Sequence, residues 1–525
     1  MRVKKHPPSA PSQTLSAGLR RYLYFTAATT GAAIMIAEIL GAKMLAPYVG
    51  TSHFVWTAQI AVTLVALATG YYAGGRLVDH SPRLRRLYGC VLAAAIYLCG
   101  SVVAVKPVAY WCLDFKLALG SLLASTFLFF VPLSLLAMVG PFLVRVLTVS
   151  VNGVGGNVGR LTAVSTLGSF VGTVLIGYVL IPFFPNSYTM YFSALLLMLI
   201  VGVYFFAWEM KSRNKAALVT AIVTGVLVGG AGIRLDSYGS PSEFVERFRG
   251  NSNFGLLQVL DSTSGTRRYY LNDFLSQNIY DPGAKKSTTL FTYMLHGLAR
   301  AYTPRIERAL CIGLGMGIVP AQLAREGVQV DVVEINPAVV PVAARFFDCE
   351  PGKFNIVIGD GRHFVNRATN RYDTIFLDAF LGDSSPSHLM TREAFESMRR
   401  LLKPGGTLVI NSFVGFRSGK DFFGASLDKT LKAVFKSVRI HATEPEDIGN
   451  VFFVASDQPD LRVLVQPDFA QVHPDLRNLV KAAFESLTEA NARDGIVLTD
   501  DYNPVEFYDA ANREVIRRNL ARRMR

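Results

Sequence analysis

The chain has 525 residues, a formal net charge of +14 and five cysteines. Its length exceeds the usual single-domain range and allows at least two hydrophobic cores. The basic excess does not indicate a nucleic-acid partner, because much of it lies in the N-terminal tail, in loops beside apolar segments and at the C-terminus. The cysteines show no CxxC spacing and no histidine cluster, so neither a metal site nor a disulfide framework is indicated, which fits a reducing compartment.

The first half of the chain is far more apolar than the second. Residues 22–235 contain repeated apolar stretches with almost no charge, and ordinary charge frequency returns from residue 236. About 20 helical residues are needed to cross the ~30 Å hydrocarbon layer of a bilayer. We therefore predict a basic cytoplasmic tail over residues 1–21 and an all-helical, multi-span membrane domain over residues 22–235. Seven segments are expected: 22–46, 54–77, 87–106, 117–142, 161–182, 187–208 and 216–235.

The second half alternates strands with helices. Residues 236–305 are expected to form a small β-hairpin subdomain, with strands at 254–260 and 266–270. Residues 306–525 are expected to form a nucleoside-binding domain with a Rossmann-like, methyltransferase-type α/β fold. Its predicted parallel strands lie at 309–313, 329–334, 355–358, 374–377 and 407–411. Such sheets bind ligands at the carboxyl ends of their strands.

A glycine-rich turn follows the first of these parallel strands and precedes a helix. Gly313, Gly315 and Gly317 allow the backbone to approach a ligand and leave the amides of the helix N-terminus free. A tight structural turn explains the same pattern equally well. Glu334 ends the next strand about 20 residues later, where a carboxylate accepts hydrogen bonds from ribose hydroxyls. The turn contains no phosphate-binding lysine, so a triphosphate ligand is not indicated.

Acidic residues also end the third and fourth parallel strands. Asp360 and Gly361 follow the third strand, where a carboxylate can accept a hydrogen bond from the exocyclic amine of adenine. Asp378 follows the fourth strand. Each of these acidic residues alone is compatible with a surface carboxylate. Because the carboxyl ends of parallel strands meet at one edge of the sheet, the set predicts a nucleoside site.

The motifs at these strand ends resemble those of the spermidine synthase (polyamine aminopropyltransferase) family, in particular its branch with a fused N-terminal membrane domain. They are the turn 313–317, Val333-Glu334-Ile335-Asn336-Pro337, Gly359-Asp360-Gly361-Arg362 and the segment 372–378. The segments 385–395 and 499–506 are similar to that branch as well.

The resemblance implies transfer of an aminopropyl group from decarboxylated S-adenosylmethionine to an amine, with Asp378 as the catalytic proton acceptor. Glu334 would hold the ribose, Asp360 and Gly361 the adenine, and Gln277 matches a family glutamine that contacts substrate. A structural amide is an equal alternative for Gln277. The nucleoside is a cosubstrate, and neither a metal nor a tightly bound cofactor is required. The expected partners are a small amine and the lipid bilayer, with no nucleic acid, and a homo-oligomer is compatible with the sequence.

The sequence departs from the family pattern on the amine side. The turn has Met316 at a usually acidic position, and Phe291-Thr292-Tyr293 occupies the place of a Tyr-His-Glu segment. A first-strand glutamine is replaced near Phe254. The second acidic residue of the amine pocket is replaced by Leu381, with Asp383 as a substitute. A polycation needs several carboxylates to replace its hydration, so these changes predict a different or less charged acceptor.

Two alternatives remain open from the sequence. The first is a methyltransferase that uses intact S-adenosylmethionine on the same fold. The second is a membrane transporter or sensor with a degenerate nucleoside-binding domain.

Charge distribution predicts the membrane orientation. Basic residues after the second, fourth and sixth segments, together with the basic tail, place those loops in the cytoplasm. Seven complete crossings would then put the C-terminal half outside, away from its expected cosubstrate. We expect a multi-pass protein of the cell (inner) membrane with a cytoplasmic catalytic domain. One segment would then not cross fully, either the seventh or the fourth, which Pro132 is expected to kink.

Overall fold

The structure is a computed structural model of the chain. It describes the following residues: 15–50, 53–148, 153–209, 215–237, 244–380, 386–417, 421–443, 448–491, 495–508, 510 and 513–515. The chain divides into two compact units. The first comprises Met1–Ala46 with Phe54–Gly239, and the second comprises Pro47–His53 with Ser240–Arg525.

The first unit is helical throughout its described residues. Six helices are long and apolar enough to cross a membrane: Ala17–Val49, His53–His80, Leu84–Cys112, Leu117–Leu147, Val154–Phe183 and Asn186–Trp208. A seventh helix spans Lys215–Ser237, and its residues with described side chains include the apolar stretch Leu218–Gly232. Each of the seven expected segments therefore coincides with a helix. Within the part of the chain that the structure describes, the first six meet the length and composition of a membrane span.

The fourth helix is irregular around Pro132, as the sequence predicted. A π-helical turn over Thr126–Phe130 precedes the proline, and the regular helix is interrupted again at Met138. Proline lacks an amide hydrogen and collides with the preceding turn, so carbonyl groups lose their helical partners there. Side chains of the third helix satisfy two carbonyls of the π turn: the Tyr97 hydroxyl donates to Phe127 and the Ser101 hydroxyl donates to Leu128.

The second unit begins with an antiparallel five-stranded sheet. Its strands follow one another in the order of the chain: β1 Phe244–Ser252, β2 Gly255–Ser262, β3 Arg268–Asn272, β4 Leu275–Asp281 and β5 Lys286–Ser287. The predicted hairpin corresponds to β2 and β3. The subdomain is larger than the predicted hairpin, because it also contains β1, β4 and β5. These three strands were not predicted. In β1, charged residues break the apolar alternation that identifies a strand.

An eight-stranded sheet forms the core of the second unit. Its strands are β6 Arg308–Ile312, β7 Gln329–Glu334, β8 Asn355–Ile358, β9 Tyr372–Leu377, β10 Leu402–Val414, β11 Ser437–Ala442, β12 Gly449–Ser456 and β13 Leu487–Thr488. The order is β13-β11-β12-β10-β9-β6-β7-β8. Strands β6 to β10 pair in parallel and the remaining pairs are antiparallel. The predicted Rossmann-like, methyltransferase-type fold is confirmed.

Helices cover both faces of this sheet. They are Leu290–Tyr302, Ile318–Arg325, Val339–Phe346, Gly361–Arg367, Arg392–Leu401, Phe422–Val434, Arg477–Glu485 and the short Val505–Tyr508. Successive residues of β6 alternate between two hydrophobic clusters: Cys311 packs in one, and Leu310 and Ile312 pack in the other. Burial on both faces explains why the parallel strands are continuous apolar runs. The strand order reverses between β6 and β9, which opens a crevice at their carboxyl ends.

Candidate functional site

A cavity of about 750 Å³ opens at the carboxyl ends of the parallel strands within the second unit. Most of the predicted site residues line it: Gln277, Gly313, Gly315, Glu334, Asp360, Gly361 and Asp378. Gly317 lies beside the cavity but is not part of its wall. Asp383 and Leu381 lie outside the described residues. Three carboxylates that are distant in the sequence therefore face one space.

The glycine-rich turn has a left-handed backbone at each predicted glycine. Gly313 has a φ of 100°, and a Cβ there would overlap the carbonyl oxygen of Asp378. Gly317 has a φ of 72°, immediately precedes the helix Ile318–Arg325, and faces the sulfur of Cys349 too closely for a Cβ. Gly315 has a φ of 52° and open space in front of it. The first and third glycines thus shape the turn, and the second leaves room for a ligand.

Glu334 connects the glycine-rich turn to the end of β7. Its side chain is buried, with a relative exposure of 7% for the residue. One carboxylate oxygen accepts the amide hydrogen of Leu314 at 2.9 Å, and the other accepts that of Asn336 at 2.8 Å. Burial raises the pKa of Glu334, and the hydrogen bonds from backbone amides oppose that rise. Because each carboxylate oxygen can accept a second hydrogen bond, the group remains able to bind ribose hydroxyls.

Asp360 caps the helix Gly361–Arg367. Its Oδ1 accepts the amide hydrogen of His363 at 2.9 Å, and its Oδ2 lies 3.0 Å from Nε2 of His388. Burial favours the neutral acid, but these hydrogen bonds and the nearby imidazole outweigh it and lower the pKa of Asp360. A Cβ on Gly361 would lie 2.6 Å from Cγ2 of Ile312, so a larger residue would displace this corner. Asp360 is therefore held in place as an ionised acceptor.

Asp378 is part of a chain of side-chain hydrogen bonds. The amide nitrogen of Asn411 donates to its Oδ1 at 2.8 Å, and the amide nitrogen of Asn450 donates to Oδ1 of Asn411 at 2.9 Å. Burial raises the pKa of Asp378 to about 6, and the hydrogen bond from Asn411 opposes this rise. A carboxylate with a pKa in this range is ionised at neutral pH and can also carry a proton.

Three residues of this site were not predicted: His388, Asn411 and Asn450 all line the cavity. Asn411 had a detectable signal, because it is a polar residue at the end of the apolar run 407–410 of a predicted strand. His388 lies in a segment that was noted only for its family resemblance. Asn450 belongs to β12, an antiparallel strand that was not predicted.

The part of the cavity wall formed by residues 244–295 and Met316 combines aromatic and apolar side chains with neutral polar ones. It includes Phe254, Phe274, Phe291 and Met316, and Gln277 of β4 also lines the cavity. Among the described lining residues the carboxylates are Glu334, Asp360 and Asp378, and there is no lysine or arginine. Among the described lining residues, those from 244 to 295 include no acidic side chain, and the expected change of acceptor stays a prediction.

The fold and the carboxylates at neighbouring strand ends place the C-terminal half among Rossmann-like domains of the methyltransferase type. Residues 289–458 match the model of the Spermine/spermidine synthase domain. The C-terminal part of the chain is therefore a domain of this family, and the resemblance recognised from the motifs is confirmed.

Curated relatives match part of the chain. The polyamine aminopropyltransferase of Vibrio vulnificus is 41% identical over 140 residues, which are 25% of this chain and 46% of that protein. The N-terminal histidine N-methyltransferase of Emericella nidulans is 34% identical over 159 residues, 29% of this chain and 27% of that protein. The chain thus spans less than half the length of these relatives.

Solved structures of similar proteins cover less than half of the chain. A probable spermidine synthase from Corynebacterium glutamicum has a TM-score of 0.36 at 19% identity, covering 41% of this chain and 79% of that one. The spermidine synthase from Thermotoga maritima has a TM-score of 0.35 at 18% identity, covering 47% of this chain and 81% of that one.

Proposed function

We propose that the protein is a membrane-anchored aminopropyltransferase that transfers the aminopropyl group of decarboxylated S-adenosylmethionine to an amine. The observation that carries the proposal is that Glu334, Asp360 and Asp378 line one cavity beside the glycine-rich turn of a spermine/spermidine synthase domain. In this assignment Glu334 binds the ribose hydroxyls and Asp360 binds the adenine amine. Gly313, Gly315 and Gly361 allow close approach of the backbone to the nucleoside.

Asp378 is the proposed catalytic residue. The amine nitrogen attacks the methylene carbon of the aminopropyl group that is bonded to the sulfonium. A C–N bond forms, and the bond between this carbon and sulfur breaks. The electron pair of the broken bond goes to sulfur, which leaves as methylthioadenosine. The acceptor binds to Asp378 as an ammonium, which has no free lone pair, and Asp378 takes one proton from its nitrogen before the attack. The hydrogen bond from Asn411 fixes the carboxylate, so that amine and sulfonium are aligned before reaction.

The proposed acceptor carries less positive charge than a polyamine. If Glu334 and Asp360 bind the nucleoside, Asp378 is the remaining carboxylate among the described lining residues. Gln277 is proposed to contact the acceptor from β4, beside Phe254 and Phe291. Burying a second ammonium against these rings would cost several kcal/mol without a compensating carboxylate. Asp383 stays a predicted second acidic contact outside the described residues.

Methyl transfer from intact S-adenosylmethionine is the second candidate. Relatives of the chain include the N-terminal histidine N-methyltransferase of Emericella nidulans and a putrescine N-methyltransferase of Nicotiana tabacum. Met316 replaces the acidic residue that the family usually has in the turn, and this removes a group expected to repel the carboxylate of an intact donor. The lack of lysine and arginine among the described lining residues argues against such a carboxylate and favours the first candidate.

One assay separates these reactions. Purified full-length protein in detergent is given either decarboxylated or intact S-adenosylmethionine with a panel of mono-, di- and triamines, and products are identified by mass spectrometry. Methylthioadenosine with an aminopropylated amine supports the proposal. S-adenosylhomocysteine with a methylated amine supports the second candidate and overturns the first. Nucleoside binding with neither product supports a non-catalytic transporter or sensor.

The proposed location is the inner membrane, with the transferase domain in the cytoplasm. An even number of crossings returns a chain to the side on which it began, and six helices meet the requirements of a span. The helix Lys215–Ser237 would then not cross. This assignment removes the conflict between seven crossings and a cytoplasmic cosubstrate. A reporter fused after residue 525 should be active in the cytoplasm, and periplasmic activity would contradict the assignment.

A further inference from the structure

A segment near the C-terminus, residues 498–505, is attached to the nucleoside side of the cavity by an acidic residue. Oδ2 of Asp500 forms an ion pair with Nη2 of Arg362 at 2.7 Å, and its Oδ1 accepts the hydroxyl hydrogen of Thr391 at 2.6 Å. Nη1 of Arg362 also donates to Oγ1 of Thr391 at 3.0 Å. The side chain of Arg362 is only 15% exposed, whereas that of Asp500 is 50% exposed, so the ion pair is shielded from solvent on the arginine side alone.

Three further contacts attach the same segment. The amide nitrogen of Asn503 donates to the carbonyl of Ser387 at 2.9 Å. The backbone amide of Arg392 donates to the carbonyl of Leu498 at 2.8 Å, and Leu498 itself is fully buried. The backbone amide of Asp500 donates to Glu393 at 3.0 Å. Segment 498–505 therefore contacts both ends of the stretch 386–393.

That stretch carries a histidine that reaches the predicted adenine-binding carboxylate. His388 lines the cavity together with Pro386 and Leu389, and its Nε2 lies 3.0 Å from Oδ2 of Asp360. Arg362, which is bound by Asp500, also donates to the carbonyl oxygen of His388 at 3.3 Å. A continuous series of contacts thus leads from Asp500 through Arg362 to His388 and Asp360.

We propose that Asp500 is a positioning residue of the nucleoside site, which holds residues 386–391 so that His388 fixes the Asp360 carboxylate for recognition of an adenine base. The inference rests on the proposed function. His388 and the amide of His363 each occupy one oxygen of Asp360, and each oxygen can accept a further hydrogen bond. Adenine presents an exocyclic amine to such an acceptor, whereas hypoxanthine presents a carbonyl oxygen that an ionised carboxylate repels.

The test measures base selectivity and needs no turnover. Binding of 5′-methylthioadenosine and 5′-methylthioinosine to the full-length protein in detergent is measured by calorimetry for wild type and for Asp500→Asn. We expect the variant to bind the adenosine compound about tenfold more weakly, which corresponds to about 1.4 kcal/mol of binding free energy. The ratio of the affinity for methylthioadenosine to that for methylthioinosine should also be smaller than in wild type. Asp501→Asn is the matched control, because it removes the same charge one residue later and should leave both affinities unchanged.

The outcomes are distinguishable. If wild type binds neither nucleoside, the proposed function fails. If wild type binds methylthioadenosine and Asp500→Asn keeps both the affinity and the ratio, the positioning role is overturned while the proposed function stands. Should Asp500→Asn fail to fold, Asn503→Ala decides, because it removes a different attachment of the same segment and should lower the same ratio; an unchanged ratio would reject the inference.

Discussion

The side-chain amide of Asn411 donates a 2.8 Å hydrogen bond to the carboxylate of Asp378. The two residues follow a register pair of neighbouring parallel strands, Ile410 of β10 and Leu377 of β9. The bond occupies Oδ1 of Asp378, and the proposed function assigns the acceptor amine to Oδ2. Because it stabilises the ionised form, the bond also limits the rise in the pKa of Asp378 that burial causes.

Replacing Asp378 with asparagine should abolish turnover and preserve nucleoside binding. The substitution keeps the size of the side chain but removes the group that accepts the proton, and general-base groups typically contribute about 10²–10⁴-fold to a rate. Product formation is measured by mass spectrometry and methylthioadenosine binding by calorimetry. Asp501→Asn serves as the control. Wild-type turnover by the Asp378 variant would rule out its catalytic role.

The rate of transfer should fall on the acidic side as Asp378 takes up a proton. Its raised pKa of about 6 means that the carboxylate is ionised above this pH and progressively neutral below it. Asn411→Leu removes the hydrogen bond to the ionised form, so the pKa should rise and the acidic limb of the kcat/KM profile should move to higher pH. An unchanged limb in the leucine variant would show that Asn411 does not tune Asp378.

Glu334→Gln should weaken nucleoside binding and also destabilise the glycine-rich turn. The carboxylate accepts amide hydrogens from Leu314 and Asn336, whereas a glutamine offers one oxygen and places an NH₂ group against the second amide. An unsatisfied buried donor costs about 1–3 kcal/mol. The measurements are the melting temperature and the affinity for methylthioadenosine. Glu350→Gln, at an exposed ion pair with Lys353, is the control. An equal melting temperature for Glu334→Gln and wild type would contradict this account.

Two glycines of the turn should respond differently to alanine. At Gly313 the backbone is left-handed and a Cβ would overlap the carbonyl of Asp378, so Gly313→Ala should displace the catalytic strand end and greatly reduce activity. At Gly315 the backbone is also left-handed but the space is open, so the cost should be limited to about 1–2 kcal/mol of backbone strain. Thermal denaturation and turnover are measured for both variants. Because Gly315 borders the proposed nucleoside site, the melting temperature decides: an equal fall in the two variants would reject the steric explanation for Gly313.

Three carboxylates that the sequence identified, Glu334, Asp360 and Asp378, share one property: each lies at or just after the end of a predicted strand. Glu334 and Asp378 directly follow apolar runs, and the predicted limits of β7 and β8 coincide with the observed ones. The carboxyl ends of parallel strands necessarily share one edge of the sheet, so the convergence of these residues on a cavity followed from their order in the chain. Gly313 was found in the same way, because a glycine-rich turn between strand and helix is a local signal.

The partners of those residues depended on the tertiary structure. Asn450 reaches Asn411 because β12 pairs antiparallel with β10, in a register that places Asn450 opposite Phe413. Such pairing is set by contacts across 39 residues of sequence, and no local pattern encodes it. Asp500 meets Arg362 across 138 residues for the same reason. The sequence by itself determined which carboxylates end which strands. Only the folded sheet decided which side chains orient them, since orientation depends on packing between elements that are distant in the chain.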